Sequence, residues 1–177
     1  MMTNSRHSQT ATGLEIAVIG MAGRFPEARN IEEYWDNLRN GKESIHFFSD
    51  SELEAAGVDP ELIRNPRYVR AKGLVPDAEW FDSDFFDYSP REAEVIDPQL
   101  RIFHECAYEA LEHAGYDTEQ TNGAIGLYAG ASSSIYWQLV AMGWRRARPD
   151  GPLGGRGFWG KDFLVLRFYH NLNLKWT

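Results

Sequence analysis

The spacing of apolar side chains along this chain predicts both strands and helices. Residues 16–19, with the sequence IAVI, form a short apolar run that ends at Gly20. Such a run is typical of a strand buried on both faces, and it indicates an α/β layered core. Farther along, apolar side chains alternate with glycine and tyrosine over residues 125–130, which predicts a second strand.

A short amphipathic helix is predicted between these two strands. Asn30 and Glu33 fit an N-cap and its reciprocal capping-box partner, and Gly41 supplies a left-handed stop. The apolar face of this helix includes an aromatic anchor and comprises Ile31, Tyr34, Trp35 and Leu38. Two further helical turns are predicted at the sequences DSELEAAG and DPELI.

The best-marked helix begins with Asp97 as N-cap and Pro98 at the first helical position, and Gly115 ends it. Its apolar stripe comprises Leu100, Phe103, Ala107, Ala110, Leu111 and Ala114. After the second strand, the serines at 132–134 fit a helix cap before IYWQLVAMGW. These serines lack the G-x-S-x-G spacing of a nucleophile elbow.

Cys106, the only cysteine, lies on the flank of that stripe. His104 is two positions away, so on a helix the two side chains point in different directions. A reactive thiolate is usually stabilised at a helix N-terminus or beside a base, whereas Cys106 is mid-helix with Glu105 and Glu109 nearby. These acids are expected to raise the pKa of the thiol, which predicts a structural role for Cys106.

Two patterns resemble ligand sites without matching one. Gly20 and Gly23 form a G-x-x-G pair that lacks the dinucleotide fingerprint and the P-loop lysine, so a tight exit from the strand is favoured over a nucleotide site. A later segment is rich in both aromatic and acidic residues but lacks the ordered ligand spacing of a calcium loop. We expect its aromatic side chains to anchor a loop and its acids to face water; the acids are Asp77, Glu79, Asp82, Asp84 and Asp87.

Composition limits the partners and the compartment. The 177 residues are 43% apolar and 14% aromatic, which suits a globular domain, and the net charge of −8 disfavours nucleic acid and membrane surfaces as partners. A single cysteine excludes an internal disulfide framework and is consistent with the cytoplasm. Residues 1–13 lack a signal-peptide core and are predicted to form a flexible tail, and no stretch of transmembrane length follows.

Four ordered blocks resemble a known family. They read IAVIGMAGRFP, IEEYWDNLRNGKESI, FFDYSPREAEVIDPQLRIFHECAYEALEHAGY and IGLYAGASSS. From Leu14 to about Tyr136 the chain is similar to the start of a β-ketoacyl synthase domain, specifically the ketosynthase of modular polyketide synthases. The resemblance implies an incomplete N-terminal half of a thiolase-like fold with α-β-α-β-α layers, over residues 14–177.

The same resemblance implies a reaction and partners. In the family, a cysteine-bound acyl group condenses with a malonyl-type extender on acyl carrier protein, and ketosynthase domains pair as homodimers. The phosphopantetheine belongs to the carrier, so no cofactor is expected to bind this chain directly. The family nucleophile stands in a T-A-C-S-S type motif that these residues do not contain. No catalytic, cofactor-binding or metal residue is therefore assigned, and none of His46, His104, His113 and His170 is given a catalytic role.

The end of the chain departs from the family. The sequence is atypical at residues 143–159 and at 176–177, whereas GKDFLVLRFYHNLNLK between them still resembles the stretch before the nucleophile strand. The first interpretation is a ketosynthase fragment that is truncated before the nucleophile and inactive alone. A frameshift or a damaged gene copy would explain the atypical residues, and so would an ordinary variable loop. The alternatives are an interaction module that pairs with a complementary half or partner chain, and an unrelated nucleotide-binding α/β protein.

Overall fold

The computed structural model describes residues 13–117, 120, 121, 124–132, 134, 139, 140, 142 and 143. The expectations for the N-terminal tail, for residues 144–177 and for most of the helix after residue 134 lie outside this part. In chain order the elements are α1 (Ile31–Arg39), β1 (His46–Phe47), α2 (Asp50–Ala55), α3 (Pro60–Ile63), β2 (Ala71–Lys72), α4 (Pro90–Ala93) and α5 (Pro98–His113).

Helix α5 begins and ends as its sequence predicts. The carboxylate of Asp97 accepts a hydrogen bond from the backbone N–H of Gln99 at 2.9 Å, and Pro98 occupies the first turn. Gly115 has a φ of 74°, which glycine adopts without the steric penalty of a side chain. Because both signals act within a few residues, the bounds of this helix follow from local sequence.

Helix α1 confirms its N-cap but corrects the predicted capping box. The side chain of Asn30 accepts from the Glu33 N–H at 2.8 Å, and Gly41 has the left-handed φ of 61°. The Glu33 carboxylate, however, accepts from the N–H of Arg29 at 2.8 Å rather than from Asn30. The glutamate side chain is long enough to reach the N–H of Arg29, which precedes the N-cap residue. The hydrogen bonds at the start of α1 therefore extend one residue beyond those of a standard capping box.

The aromatic anchor of α1 is Tyr34. Its ring stacks on Phe25, with the ring centroids 4.0 Å apart. Trp35 and Leu38, on the same apolar face, remain 58% and 52% exposed. The described residues therefore cover this face in part, at Ile31, which is partly buried, and at Tyr34 through its stacked ring.

Short helices and a two-stranded ribbon occupy the segment between α1 and α5. The predicted turns at DSELEAAG and DPELI are α2 and α3, and α2 begins with a complete capping box between Ser49 and Glu52. An equivalent box between Ser89 and Glu92 starts α4. The ribbon pairs β1 and β2 antiparallel, with Phe47 opposite Ala71. Neither α4 nor the ribbon was predicted.

Replacing Glu52 with glutamine should lower the melting temperature near neutral pH. Hydrogen bonds from the Ser49 hydroxyl and N–H, and then from His46, lower the pKa of Glu52 to about 2, from an ordinary value of 4.5. A depressed pKa stabilises the fold above pH 4.5, and this contribution is lost as the pH falls towards 2. Thermal melts followed by circular dichroism should show the parent and Glu52→Gln converging at low pH.

The control for this comparison is Glu54→Gln, which changes an exposed carboxylate on the same helix. We expect its melting temperature to follow that of the parent at every pH. A deficit for Glu52→Gln that is undiminished at the acid end would contradict the account of α2.

The two predicted strands are not hydrogen-bonded into a sheet in the described residues, which corrects the expectation of a doubly buried strand. Ile16 is 93% exposed and Val18 is 77% exposed. At residues 125–130 the predicted alternation is present in part, since Ile125 and Leu127 pack against the core while Tyr128 is 99% exposed. An apolar run specifies a buried environment, but strand pairing also requires a partner from elsewhere in the fold.

Candidate functional site

One side of α5 packs a histidine into an aromatic cluster. His104 is fully buried, its Nδ1 lies 2.7 Å from the carbonyl oxygen of Leu100, and its Nε2 lies 3.2 Å from the hydroxyl of Tyr88. A carbonyl only accepts, so Nδ1 carries the proton and Nε2 accepts from Tyr88. The other rings around the imidazole are Phe81, Phe86 and Phe103. His104 therefore joins α5 to the segment before α4.

Another part of α5 binds the loop that follows the first apolar run. The Arg24 guanidinium forms a bidentate pair with Glu109, one bond of which is 2.7 Å long, and lies 3.7 Å from Glu105. It also donates to the carbonyl oxygen of Arg29 at 2.9 Å. The hydrogen bonds that Arg24 donates to Glu109 raise the pKa of the guanidinium, so its charge is permanent. Two parallel bonds fix the orientation of the loop on α5.

Cys106 lies beside this ion pair. Burial raises the pKa of its thiol, Arg24 opposes that rise, and Glu109 and Glu105 add to it. The predicted direction is confirmed, with the correction that burial is a larger cause than the acids. The imidazole of His104 is engaged by Tyr88 and Leu100, so it does not face the thiol. The sulfur is accordingly held as a thiol and not as a nucleophilic thiolate.

Two further histidines have structural partners. The Nδ1 of His113 accepts from the N–H of Met21 at 2.9 Å, and His46 lies 3.2 Å from the Glu52 carboxylate. His170 is outside the described residues. The structure therefore does not bring His46, His104 or His113 to Cys106 in a nucleophile and base arrangement.

Arg24→Gln should raise the pKa of Cys106 further, because it removes a nearby cation that stabilises the thiolate. The pH dependence of iodoacetamide alkylation would therefore shift to higher pH. Arg29→Gln is the matched control, since the Arg29 side chain pairs with Asp77 and should leave the profile unchanged. A profile displaced to lower pH in Arg24→Gln would contradict this electrostatic assignment.

Gly20 explains how closely the first apolar run approaches α5. A Cβ at this position would lie 2.3 Å from the carbonyl oxygen of Ala110 and 2.9 Å from the Cβ of Ala114. At Gly23 a Cβ would lie 2.7 Å from the Phe25 ring. Glycine is therefore required at these positions because the neighbouring atoms leave no room for a Cβ. This corrects the expectation that the two glycines serve a tight exit from a strand.

An apolar groove of about 550 Å³ lies between three parts of the chain. They are the apolar run at residues 16–19, the C-terminal half of α5, and the segment at residues 125–130 in which apolar and other residues alternate. Its apolar walls include Val18, Ile19, Leu111, Ile125 and Leu127. The groove brings together the two segments predicted as strands and seats both on α5. We take this groove as the candidate site, and its lining is mainly apolar.

The acidic segment is held by protein contacts at two of its carboxylates. Asp77 accepts from Arg29 Nε at 2.6 Å, and Asp82 accepts from the Phe85 N–H at 3.0 Å. Phe86 and Tyr88 are buried, as the anchoring role requires, whereas Trp80 is 72% exposed and Phe85 is 54% exposed, which corrects the expectation for those two rings. Within the described ranges, no group of three or more histidine, cysteine, aspartate or glutamate side chains is placed to hold a metal ion.

Comparison with known proteins assigns the family. The family described as "Beta-ketoacyl synthase, N-terminal domain" matches residues 14–155, which contain α5 and both segments on the groove. The chain belongs to the β-ketoacyl synthase family. Membership decides against an unrelated nucleotide-binding protein, and the ketosynthase blocks recognised in the sequence are confirmed.

The chain has curated relatives among polyketide synthases. It is 42% identical over 169 residues to a subunit of the phenolphthiocerol/phthiocerol polyketide synthase of Mycobacterium tuberculosis, covering 90% of this chain and 11% of that protein. It is 41% identical over 125 residues to the polyketide synthase PksN of Bacillus subtilis, covering 71% of this chain and 2% of that protein. The chain thus spans a small part of the relatives it matches.

Solved ketosynthases share its fold. Ketosynthase twelve from the bacillaene polyketide synthase of Bacillus amyloliquefaciens superposes with a TM-score of 0.73 at 34% identity, over 90% of this chain and 28% of that one. The module 6 ketosynthase of the Bacillus subtilis bacillaene synthase superposes with a TM-score of 0.66 at 35% identity, over 90% of this chain and 24% of that one. The chain therefore has the N-terminal part of a thiolase-like fold, as predicted. In its described part, no helix is long and apolar enough to cross a membrane.

Proposed function

We propose that this chain supplies the N-terminal part of a ketosynthase that performs decarboxylative condensation in polyketide synthesis. In that reaction a malonyl-type extender loses carbon dioxide, and its carbanion attacks a cysteine-bound acyl thioester. The carbon–carbon bond forms as the cysteine thiol departs. The observation that carries the proposal is the family match, which includes α5 and both segments that line the groove.

The contribution of this chain to that reaction is structural. Helix α5 fixes the first apolar segment through Gly20 and the Arg24–Glu109 pair, and Ile125 and Leu127 of the second segment line the groove beside it. A complementary part can therefore build on a positioned template. The nucleophile would come from that complementary part. Cys106 is unsuited to the role because burial raises the pKa of its thiol and no described histidine faces it. We therefore propose that the chain alone is inactive.

The partners follow from the same proposal. An intact ketosynthase would receive acyl groups on the phosphopantetheine of acyl carrier protein and would pair with a second ketosynthase subunit. The single cysteine and the relationship to polyketide synthases support a cytoplasmic location.

A second candidate function rests on the exposed apolar run. Leu14, Ile16 and Val18 are 85%, 93% and 77% exposed, which marks a surface that pairs readily with another polypeptide. The chain would then act as a non-catalytic interaction module for a complementary ketosynthase half or a partner chain.

Co-expression with the remaining part of a related ketosynthase domain tests both candidates. The assay supplies an acyl thioester and malonyl-loaded carrier protein, and mass spectrometry detects the β-ketoacyl product. We expect product only when both polypeptides are present, with each polypeptide alone as the control. A stable complex without product would favour the interaction module, and failure to form any complex would contradict both functions.

A further inference from the structure

The side-chain amide of Gln99 holds the backbone of a distant segment. Its Oε1 accepts from the Ser132 N–H at 3.1 Å, and its Nε2 donates to the carbonyl oxygen of the same residue at 3.2 Å. The two residues are 33 positions apart in the sequence. Two hydrogen bonds to one residue imitate the pairing of neighbouring strands, so they fix both the position and the orientation of the Ser132 backbone.

The N-cap of α5 orients this amide. The Nε2 of Gln99 lies 3.4 Å from Asp97 Oδ2, and a carboxylate only accepts, so the amide nitrogen must face Asp97. The Ser132 N–H only donates, so it requires the amide oxygen. Asp97 also accepts from the backbone N–H of Gln99 at 2.9 Å. Both neighbours therefore select the same orientation of the amide at the start of α5.

These hydrogen bonds attach the far end of the second apolar segment. Ile125 and Leu127 line the groove beside the C-terminal half of α5, whereas Ser132 lies at the N-terminal end of the helix. The segment therefore runs along α5 in the opposite direction. An extended chain from Leu127 to Ser132 covers about 16 Å. Helix α5 covers about 16 Å from Ala110 to Gln99, so the two attachments agree in length.

Packing contributes little to holding the end of this segment. Ile125 and Leu127 are partly buried against the core, whereas residues 128–132 are all exposed. The two hydrogen bonds from Gln99 therefore keep the exposed stretch beside α5. Their loss would let this stretch adopt several positions at little cost in global stability, since few buried contacts depend on it.

The exposed stretch is suited to meet another polypeptide. Tyr128 is almost wholly exposed, and aromatic side chains are enriched at protein interfaces. The chain covers 28% of the solved ketosynthase twelve, so most of such a domain lies outside this chain. The complementary part of the domain is therefore the partner that this stretch would meet.

We propose that Gln99 is a positioning residue for the condensation reaction, because it holds residues 128–132 where the complementary ketosynthase part docks. The inference rests on the proposed function and adds the side chain that prepares the docking position. A segment that is ordered before binding loses less conformational entropy when the partner arrives. Gln99 acts through Ser132, so its effect lies in the concentration of the complementary part that is required and not in the chemical step.

The test titrates the complementary part of a related ketosynthase domain against the full 177-residue chain and measures the β-ketoacyl product by mass spectrometry. The variant Gln99→Met keeps the length and helix preference of the side chain and removes both hydrogen bonds to Ser132. We expect the half-saturating concentration to rise about tenfold, as the loss of exposed hydrogen bonds implies. The maximal rate and the melting temperature should stay close to those of the parent.

The matched control is Gln120→Met. The side chain of Gln120 is also exposed, but its amide donates to Asp117, three residues away, at 2.6 Å. This variant should follow the parent throughout the titration. Hydrogen exchange at the Ser132 amide, measured by NMR without the complementary part, should be faster in Gln99→Met and unchanged in the control.

The outcomes separate the role of Gln99 from the function on which it rests. If the parent gives product and Gln99→Met has the same half-saturating concentration, the positioning role is wrong and the proposed function stands. A lower maximal rate together with a lower melting temperature would indicate general loss of structure and would also overturn the role. No product from the parent at any concentration would contradict the proposed function and the positioning role together, while the Ser132 exchange rates would still show whether Gln99 holds that backbone.

Discussion

His104→Ala should destabilise the fold by about 3–5 kcal/mol, the range for removing a buried ring. The imidazole is fully enclosed by aromatic side chains, so its loss leaves a cavity that a helix cannot easily collapse into. The hydrogen bonds to Leu100 and Tyr88 are lost as well. Small domains are stable by only about 5–15 kcal/mol, so urea titration should show a strongly lowered midpoint or an unfolded variant.

Tyr88→Phe measures the contribution of the hydrogen bond to His104 separately from the contribution of packing. It keeps the ring and removes only the hydroxyl that donates to His104 Nε2, so we expect a loss of about 1 kcal/mol. The ratio of the two effects separates packing from hydrogen bonding. A change below about 1 kcal/mol for His104→Ala would contradict the placement of this side chain in the core.

Gly20→Ala should destabilise the fold by about 1–3 kcal/mol, the usual range for overpacking. The new Cβ would lie 2.3 Å from the backbone carbonyl of Ala110. A helix backbone cannot rotate away as a flexible side chain can, so the apolar run must move off α5. Urea unfolding followed by tryptophan fluorescence would measure the change in free energy.

Gly130→Ala provides the control for this substitution. A Cβ there meets no heavy atom within 4 Å, and the backbone does not adopt the left-handed conformation. We expect its stability to equal or slightly exceed that of the parent, since alanine restricts the unfolded chain. Equal stability of Gly20→Ala and Gly130→Ala would show that the first apolar run does not pack on α5 as described.

Features encoded by neighbouring residues were predictable from sequence. The N-cap at Asp97, the left-handed φ of Gly41 and Gly115, and the turns that became α2 and α3 each depend on contacts over a few positions. Helix α4 was missed although its signal was present, because Ser89 and Glu92 have capping-box spacing around a proline. Its short length and the surrounding aromatic residues favoured the interpretation as a loop.

Features that join distant segments were not predictable from pattern alone. The Arg24–Glu109 pair spans 85 positions and the His113 contact with Met21 spans 92. Nothing local to Arg24 indicates its partner. The ribbon pairs two strands of only two residues each, and Arg70 ties it to α2 through Asp50 and to α3 through the carbonyl oxygen of Ile63. The same reasoning applies to the strand at 16–19, whose apolar run indicates burial but cannot specify what pairs with it. Family resemblance supplied the fold because it rests on whole ordered blocks.

The most direct test of the account locates the acyl group. This chain is incubated with a reactive acyl thioester, alone and with the complementary part of a related ketosynthase domain, and the intact mass of each polypeptide is then measured. The account predicts an acyl adduct on the complementary polypeptide and none on this chain, whose Cys106 is half-buried with a raised pKa. An acyl adduct on Cys106 that Cys106→Ala abolishes would contradict the claim that this chain contributes structure rather than the nucleophile.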